Sequence, residues 1–432
     1  MKDILKILNA GLDTVNGEKA VLENLKLEKD LLEIRNKTFD LKKFSNIYVI
    51  GIGKVSPQMA RGTERILGNR ITYGLVVTKK KNGKLKKIKQ LIGSHPVPDN
   101  KSLFAGKAIL KLARKAKEND LVIVLLSGGA SALIVSPKGV SLKEKQALTK
   151  QLLACGADIK EINTIRKHLS DIKGGNLAKA IYPATCLTLI ISDVLGNDLS
   201  VIGSGPTYPD GSTFRDCLKI FNKYHLKKKV PKIYKYFLKN LKSKKNETLK
   251  PGDKALKKVS NFIIADLDLA LREAKEEAEN LGYRSSIIKR KITGIASKEG
   301  EKLAKNLKKI NNKSCIVSGG ETTVILTGNG KGGRNLELTI GFLLKTTVEG
   351  QTFDSMKGIK FLSAGTDGDD GTSGVAGALV SDKELKKAHN LNLDFDQFLR
   401  DNNSLEFFKK IDGILKFPQT TNVGDIQILL KK

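Results

Sequence analysis

The stretch that most constrains this chain runs from Leu121 to Leu133, Leu-Val-Ile-Val-Leu-Leu-Ser-Gly-Gly-Ala-Ser-Ala-Leu. Six apolar residues stand unbroken, and the run then gives way to Ser127-Gly128-Gly129-Ala130-Ser131. An unbroken branched apolar run predicts a strand buried on both faces, as in a parallel sheet. The glycines allow a tight turn and a close backbone approach, and a helix start follows them. A strand, a glycine turn and a helix start aim free N–H groups and a helix dipole at one spot, which suits an anion.

At 432 residues the chain exceeds one ordinary core, so two domains are expected. No apolar stretch reaches the ~20 residues that span a bilayer, and Met1–Val15 has no secretory core. A soluble cytoplasmic protein is the expectation, as monomer or homodimer, with no membrane partner. Cys155, Cys186, Cys217 and Cys315 are scattered without a CxxC pair, against a disulfide framework or zinc site. The net charge of +32 is mainly lysine, dense at Lys79–Lys89 and Lys227–Lys258. Aromatics are few and no nucleic-acid reading motif occurs, so a solvated lysine surface is favoured and no nucleic-acid partner is expected.

In order, Ile4–Ile34 shows helical spacing throughout. Ile47–Ile50 is a strand entering Gly51-Ile52-Gly53-Lys54-Val55-Ser56, followed by a helix to about Leu67. Gly74–Val77 is a second strand, and Lys79–Lys89 reads as a hairpin-like excursion. Asp99 or Asn100 can cap the next helix. Ser141–Ser170 reads as one long helical stretch carrying Asn163, Arg166 and His168 toward Lys173-Gly174-Gly175. Thr185–Ile191 is a strand ending in Ser192-Asp193. Lysine-rich residues 240–258 read as a link between a domain of residues 1–247 and one of residues 255–432. The second opens with a strand at Asn261–Ala265, then a helix at Ala270–Asn280 and a strand at Ser285–Ile288. A helix at 297–309 leads to Cys315–Val317 and Ser318-Gly319-Gly320-Glu321-Thr322. Alternating strands and helices predict α/β architecture with a largely parallel sheet.

Gly51-x-Gly53-x-x-Ser56 nearly matches a dinucleotide fingerprint, but Ser56 replaces the third glycine and the second strand ends in Thr78-Lys79-Lys80 instead of an acid. That speaks against NAD and leaves NADP open. Lys54 sits inside this turn, where a cation meets an anionic ligand. No GxxxxGK[ST] loop, protein-kinase signature or GxSxG elbow occurs, and the four histidines lack metal spacing. Gly328 to Arg334, with four glycines, Lys331 and Arg334, reads as a flexible cationic loop for phosphate. Asp193 and Asp367 stand at strand ends, where open α/β sheets bind ligands and carboxylates hold Mg2+ with phosphates.

Several of these stretches together resemble the glycerate 2-kinase family, whose C-terminal part is called the MOFRL domain. The resemblance rests on Asn163–Ala178, Leu126–Leu133, Ser192-Asp193-Val194 and Gly203–Thr207 in the first half. In the second half it rests on Ser318–Thr322, Gly328–Asn335 and Gly365–Gly371, so it spans about Ile50 to Leu429. It implies two α/β domains, the first Rossmann-like and the second a smaller MOFRL-type domain, with an active cleft between them. It implies transfer of the γ-phosphate of ATP to the 2-hydroxyl of D-glycerate with a divalent metal. Some relatives have been labelled hydroxypyruvate reductases, so an NADP-dependent reductase is the alternative. The family's cleft lysine and arginine match Lys54 and Arg334. Departures occur at Gly374, where the family usually has Asp, at Thr372-Ser373, and at Phe417–Asp425.

The expected site follows. Lys54, Arg334 and Asp193 are catalytic; Asp193 and Asp367 hold Mg2+. Ser127, Gly128, Gly129, Ala130, Ser131, Arg166, Lys173, Gly319, Gly320, Glu321 and Lys331 bind substrate or phosphate.

Overall fold

The chain is described here from a computed structural model, which covers residues 2–243, 246–308, 310–348 and 356–432. The expected link at 240–258 and helix end at Lys309 therefore include positions outside the described residues. The chain forms two compact units, Gly17–Ile264, and Ala265–Lys432 together with Met1–Asn16.

In the first unit β1 (Lys26–Glu28), β2 (Leu31–Ile34) and β3 (Lys37–Asp40) form a small antiparallel sheet where helix was expected. Leu32 and Ile34 are buried while Leu31 is exposed, so period two wins over the helical spacing. Lys29 and Arg35 turn the chain with positive φ.

The main sheet contains β4 (Asn46–Ile52), β5 (Tyr73–Thr78), β6 (Ile88–Ile92), β7 (Asp120–Leu126), β8 (Thr185–Ile191) and β9 (Val259–Ala265), in the order β6-β5-β4-β7-β8-β9. β4 pairs in parallel with β5 and β7, β5 with β6, and β7 with β8. The pairing of β5 with β6 is parallel, so Lys79–Lys87 is a crossover and not a hairpin. All seven residues of β7 are buried, as its apolar run demanded. On one face Tyr48, Ile50 and Ile52 pack with Ile109 and Ala113 of the helix Asn100–Lys115 and with Leu177 and Ile181. The strand order reverses between β4 and β7, the point at which such sheets bind ligands beyond their carboxyl ends.

Beside the sheet, Leu148, Leu152, Phe214, Phe221 and Phe237 form a separate helical core. The long helical stretch expected here is two helices, Leu142–Ala154 and Ile159–His168. Ser141 with Glu144, and Asp158 with Glu161, each make a reciprocal capping box, and Gly156 turns with φ 74° between them.

β9 stands at the edge of the first sheet, although its sequence was read as opening the second domain. The lysine-rich segment before it belongs to the first unit as well, with Thr248 and Leu249 buried. Lysine density marked a surface there and not a boundary.

The second unit is built on β10 (Arg284–Ile292), β11 (Ser314–Gly320), β12 (Ile359–Gly365), β13 (Gly377–Ser381), β14 (Ile414–Leu415) and β15 (Asp425–Lys431), in the order β10-β11-β15-β12-β13-β14. β10 and β11 are parallel; β15 runs antiparallel to both β11 and β12. The first residue of β15, Asp425, is thereby opposite Gly320 and Gly365, the last residues of its neighbours. The helix Lys2–Thr14 belongs to this unit, not to the N-terminal domain. Ile4, Ile7 and Leu8 form its buried stripe. Gly11 lets it approach Leu267–Asn280, since a Cβ there would lie 2.8 Å from Ala270 O. Tyr283 Oη donates to Asp3 Oδ2 at 2.7 Å.

Leu8 is 1% exposed, and Leu8→Ala is expected to destabilise by about 2–5 kcal/mol. Hydrogen exchange should rise in Leu267–Asn280 and not in β4 and β7. Faster exchange confined to the first sheet would contradict the assignment of this helix.

Candidate functional site

The loops after β4 and β7 are tied together. Lys54 N donates to Gly128 O at 2.9 Å, Val55 N to Ser127 Oγ at 3.1 Å, and Ser127 N to Ile52 O at 3.0 Å. Gly53 N donates to Val77 O, and Ser56 Oγ bridges Gly53 O and Val77 O. Gly53 has φ 138°, and a Cβ there would strike Ser127 Oγ. The amides of Gly53, Lys54, Val55 and Ser56 are therefore all spent within the protein. A dinucleotide fingerprint needs this turn's backbone open to a pyrophosphate, so the geometry weighs against the NADP reading of Gly51–Ser56.

The loop after β7 is different. Among the described residues, the backbone N–H groups of Gly128, Gly129, Ala130 and Ser131 donate to no protein acceptor. Gly129 is left-handed, with φ 82°, and precedes the short helix Ala130–Leu133. A Cβ on Gly129 would lie 3.2 Å from the His95 ring and 3.3 Å from Lys54 Cγ, so Lys54, His95 and Gly129 stand together. Ser131 Oγ and Ser204 Oγ are 2.7 Å apart.

Gly129, Ala130 and Ser131 open onto a cavity of about 1020 Å3 that Asn163, Arg166, Lys173 and Asp193 also line. Lys145 reaches it from the helix Leu142–Ala154. Lys173 is 2% exposed and Lys145 6% exposed. Lys173 Nζ donates to Ser131 O at 2.9 Å, and Lys145 Nζ to Leu169 O at 2.8 Å. Among the described residues neither lysine nor Arg166 forms an ion pair. Burial, with the Lys145 and Arg166 charges, holds Lys173 well below the ordinary lysine range. Burial, then Arg166, brings Lys145 down to about 7 against an opposing pull from Asp171. Burial also lowers Arg166. A cavity with three cationic side chains and three open amides is built for an anion.

In the second unit the ends of β11 and β12 and the start of β15 gather acids around one arginine. Arg334 opens the helix Arg334–Val348. Its Nε and Nη2 grip Asp425 at 2.6 and 2.9 Å, and Nη1 meets Glu321 at 2.9 Å. Burial raises the Asp425 carboxyl against the downward pull of Arg334. Arg334 itself is held above its ordinary value by these acids, Asp425 foremost, against its own burial. Asp370 caps the helix, accepting from Asn335 N and Leu336 N at 3.0 Å each; burial nevertheless pushes it up to about 7. Asp367 and Asp425 converge: a Cβ on Gly365 would lie 3.3 Å from one Oδ1 and 3.4 Å from the other.

Two expectations change here. The loop Gly328–Gly333 is pinned, not flexible. Gly328 N donates to Asn402 Oδ1 and Gly330 N to Asp401 O, and a Cβ on either glycine would strike residues 401–403. A Cβ on Gly333 would strike Asp370, so Arg334 starts from a fixed backbone. Gly319 and Gly320 do not form a loop like Ser127–Ser131; they lie in β11, and a Cβ on Gly320 would strike Ile292. Lys331 is exposed, and its carbonyl accepts from Leu405 N.

Of the other expected residues, Ser127 is absorbed in tying the two loops. Gly128 through Ser131, Arg166, Lys173 and Asp193 gather in the first unit, with Lys54 beside Gly129. Glu321, Arg334 and Asp367 gather in the second. His168 turns away: Nε2 meets Glu247 Oε2 at 3.1 Å and its ring packs on Phe214. Burial raises Glu247, but hydrogen bonds from His168, Phe214 N and Lys250 bring it to about 2. Sequence reasoning missed Lys145, which lies on the Lys145–Leu148–Leu152 buried stripe of its helix, and His95.

Residues 3–239 match the family described as "Domain of unknown function (DUF4147)", and residues 314–425 the MOFRL family. A glycerate 2-kinase of Pyrococcus horikoshii is 36% identical over 438 residues, covering 99% of this chain and 96% of that protein. The chain belongs to the glycerate 2-kinase family. A D-glycerate 2-kinase of Thermotoga maritima is 34% identical, covering 98% and 96%. The crystal structure titled glycerate kinase from Thermotoga maritima aligns with a TM-score of 0.84 at 34% identity, over 100% of this chain and 99% of that one. The Pyrococcus horikoshii PH0495 structure gives 0.81 at 35% identity, covering 99% and 97%. The family's two-part α/β architecture is thus the one found here, a parallel sheet and a mixed one.

Below pH 7 the native state carries the Lys145 charge in its buried place. Between pH 7 and the ordinary lysine value of 10.5, the unfolded chain holds a proton that the native state lacks, so rising pH favours folding. Lys145→Met should therefore raise the unfolding temperature most below pH 7, with the gain shrinking toward pH 10. A gain independent of pH, or a loss, would contradict the burial of an unpaired charge.

Proposed function

We propose that this chain transfers the γ-phosphoryl group of ATP to the 2-hydroxyl of D-glycerate, giving 2-phosphoglycerate. The observation that carries this reading is the cavity at the strand-order reversal, where buried unpaired cations and open amides meet in a member of this kinase family. Phosphoryl transfer needs positioning and neutralisation of charge more than covalent chemistry. Lys54, beside Gly129 and His95, supplies a cation at the mouth of the amide loop. Arg334, in the second unit, is the other cation that the family resemblance names. Three of its donors hold Asp425 and Glu321, which leaves two of the five in a guanidinium for phosphoryl oxygens. That fixed posture is preorganisation: the charge is aimed before the reaction begins.

Mg2+ takes hard oxygen ligands, usually one or two carboxylates with water and substrate phosphates. Asp367, with Asp425 converging on it, fits that donor type, and so does Asp193 at the end of β8. Among the described residues no three acidic, histidine or cysteine side chains make a closed metal cage. Bound there, Mg2+ supplies neutralisation of phosphate charge. Among the described residues no helix is long and apolar enough to cross a membrane. A cytoplasmic enzyme with small-molecule substrates and neither membrane nor nucleic-acid partner completes this reading.

Incubation with ATP, Mg2+ and D-glycerate, with products separated by phosphorus NMR, should show 2-phosphoglycerate. Formation of 3-phosphoglycerate alone, or consumption of NADPH with hydroxypyruvate, would overturn the proposal.

Lys54→Ala should lower kcat by orders of magnitude with the unfolding temperature kept, because Lys54 is partly exposed and the amide bonds of residues 53–56 that tie its turn survive the substitution. A rate near wild type would remove it from the reaction. Arg334→Lys keeps the charge but loses the fork. It should lower kcat roughly a hundredfold, about 3 kcal/mol, with little change in affinity for a non-hydrolysable ATP analogue. Equal losses in rate and affinity would make Arg334 a ground-state binder.

A further inference from the structure

The cavity of the first unit has two kinds of wall. Its floor is cationic: Lys145, Arg166 and Lys173. Its rim carries the apolar side chains of Val97, Pro98, Leu142, Leu153 and Ile159, with the exposed Lys143 and Lys150 beside them. Three of these stand open on the surface, Val97 at 64%, Leu153 at 63% and Ile159 at 58% exposed. Burial in a core does not explain them. Leu153 and Ile159 flank the break between the helices Leu142–Ala154 and Ile159–His168, and Val97 comes from the loop before Asn100–Lys115.

The volume separates the possible occupants. At about 1020 Å3 the cavity stands at the top of the ~300–1,000 Å3 that pockets for drug-sized ligands span. A three-carbon hydroxy acid would leave most of it filled with water and would never reach the apolar rim. A nucleoside triphosphate has one flat, weakly hydrated end and one polyanionic end, the same division that the cavity shows. Gln146 carries its amide to the same wall, donating to Pro98 O at 2.7 Å, which fixes the rim loop against the helix.

We propose that this cavity is the nucleotide site, with the base against Val97, Leu153 and Ile159 and the phosphates against Lys145, Arg166, Lys173 and the amides of Gly128–Ser131. The assignment rests on the kinase reading and specifies where its phosphoryl donor sits. Lys145 thereby becomes a phosphate-binding residue. Among the described residues two carbonyl oxygens hold its Nζ, which leaves one ammonium hydrogen for a phosphate oxygen.

The test compares two variants by equilibrium titration with ADP and with inorganic tripolyphosphate, and by steady-state kinetics. In Leu153→Ser/Ile159→Ser only exposed side chains change, so the fold is kept. Its ADP dissociation constant and ATP KM should rise roughly tenfold from lost apolar contact, with tripolyphosphate affinity and the KM for D-glycerate within about twofold of wild type. Lys145→Met should weaken both ADP and tripolyphosphate, each by at least about tenfold. Unchanged ADP affinity in the rim variant, or a rise in the D-glycerate KM in its place, overturns the assignment. If the wild-type chain binds ADP in this rim-dependent way yet forms no 2-phosphoglycerate, the kinase reading fails and the nucleotide site stands. If it forms 2-phosphoglycerate while the rim variant binds ADP normally, the site assignment fails alone.

Discussion

The first unit depends on how it carries positive charge in its interior. Lys145 and Lys173 are buried beside Arg166 with carbonyl oxygens as partners and, among the described residues, no carboxylate in ion-pair contact. Taking a charge from water costs several kcal/mol unless something compensates it. A kinase for a polyanionic nucleotide can accept that cost, because the compensating charge arrives with the ligand. The price in stability is set by the anion's absence, and the gain appears as affinity. Other parts of this unit hold the cations in place: the capping boxes at Ser141 and Asp158, the break at Gly156, and the Ser131–Ser204 contact.

The second unit solves the opposite problem. Its sheet brings Asp425, Asp367 and Glu321 to one edge, because β15 runs antiparallel between β11 and β12. Repulsion among these acids is offset by Arg334, whose fork on Asp425 is fixed from both sides. Gly333 fits under Asp370, and Asp370 caps the helix that Arg334 begins. Each glycine of Gly328–Gly333 is required by a neighbour's closeness rather than by mobility. A run of glycines thus carries two meanings that composition does not separate. Gly128 and Gly129 leave amides open, while Gly319, Gly320 and Gly328–Gly333 let backbones touch.

The parallel sheet was legible in the sequence because a strand covered on both faces is apolar along its length, and β7 is from Leu121 to Leu126. The loops at its carboxyl end were legible for the same reason, since glycine and serine interrupt an otherwise unbroken apolar run. The three-stranded sheet at Lys26–Asp40 was not, because short strands with mixed charges also satisfy helical spacing. β9 was assigned to the wrong unit: edge position comes from pairing with β8, a contact far away in sequence. Arg334 was found by motif, but its partners Asp425 and Glu321 come together only through the order of β11, β15 and β12. Lys145 was readable in principle, since a lysine on the apolar stripe of an amphipathic helix has to have a partner or a purpose.

The central claim is that the buried cations of the first unit await an anion. Calorimetric titration of the wild-type chain with ADP at pH 8, in two buffers of different ionisation enthalpy, tests it most directly. Lys145 stands near pH 7 without a ligand, and a phosphate beside it restores its proton. Arg166, Lys173, Asp193 and His95 line the same cavity and the Asp171 charge acts on Lys145, so Lys145→Met identifies the source of the proton. The account predicts a binding enthalpy that differs between the buffers, showing proton uptake that the variant loses. Binding with the same enthalpy in both buffers, or uptake unchanged in Lys145→Met, would contradict it.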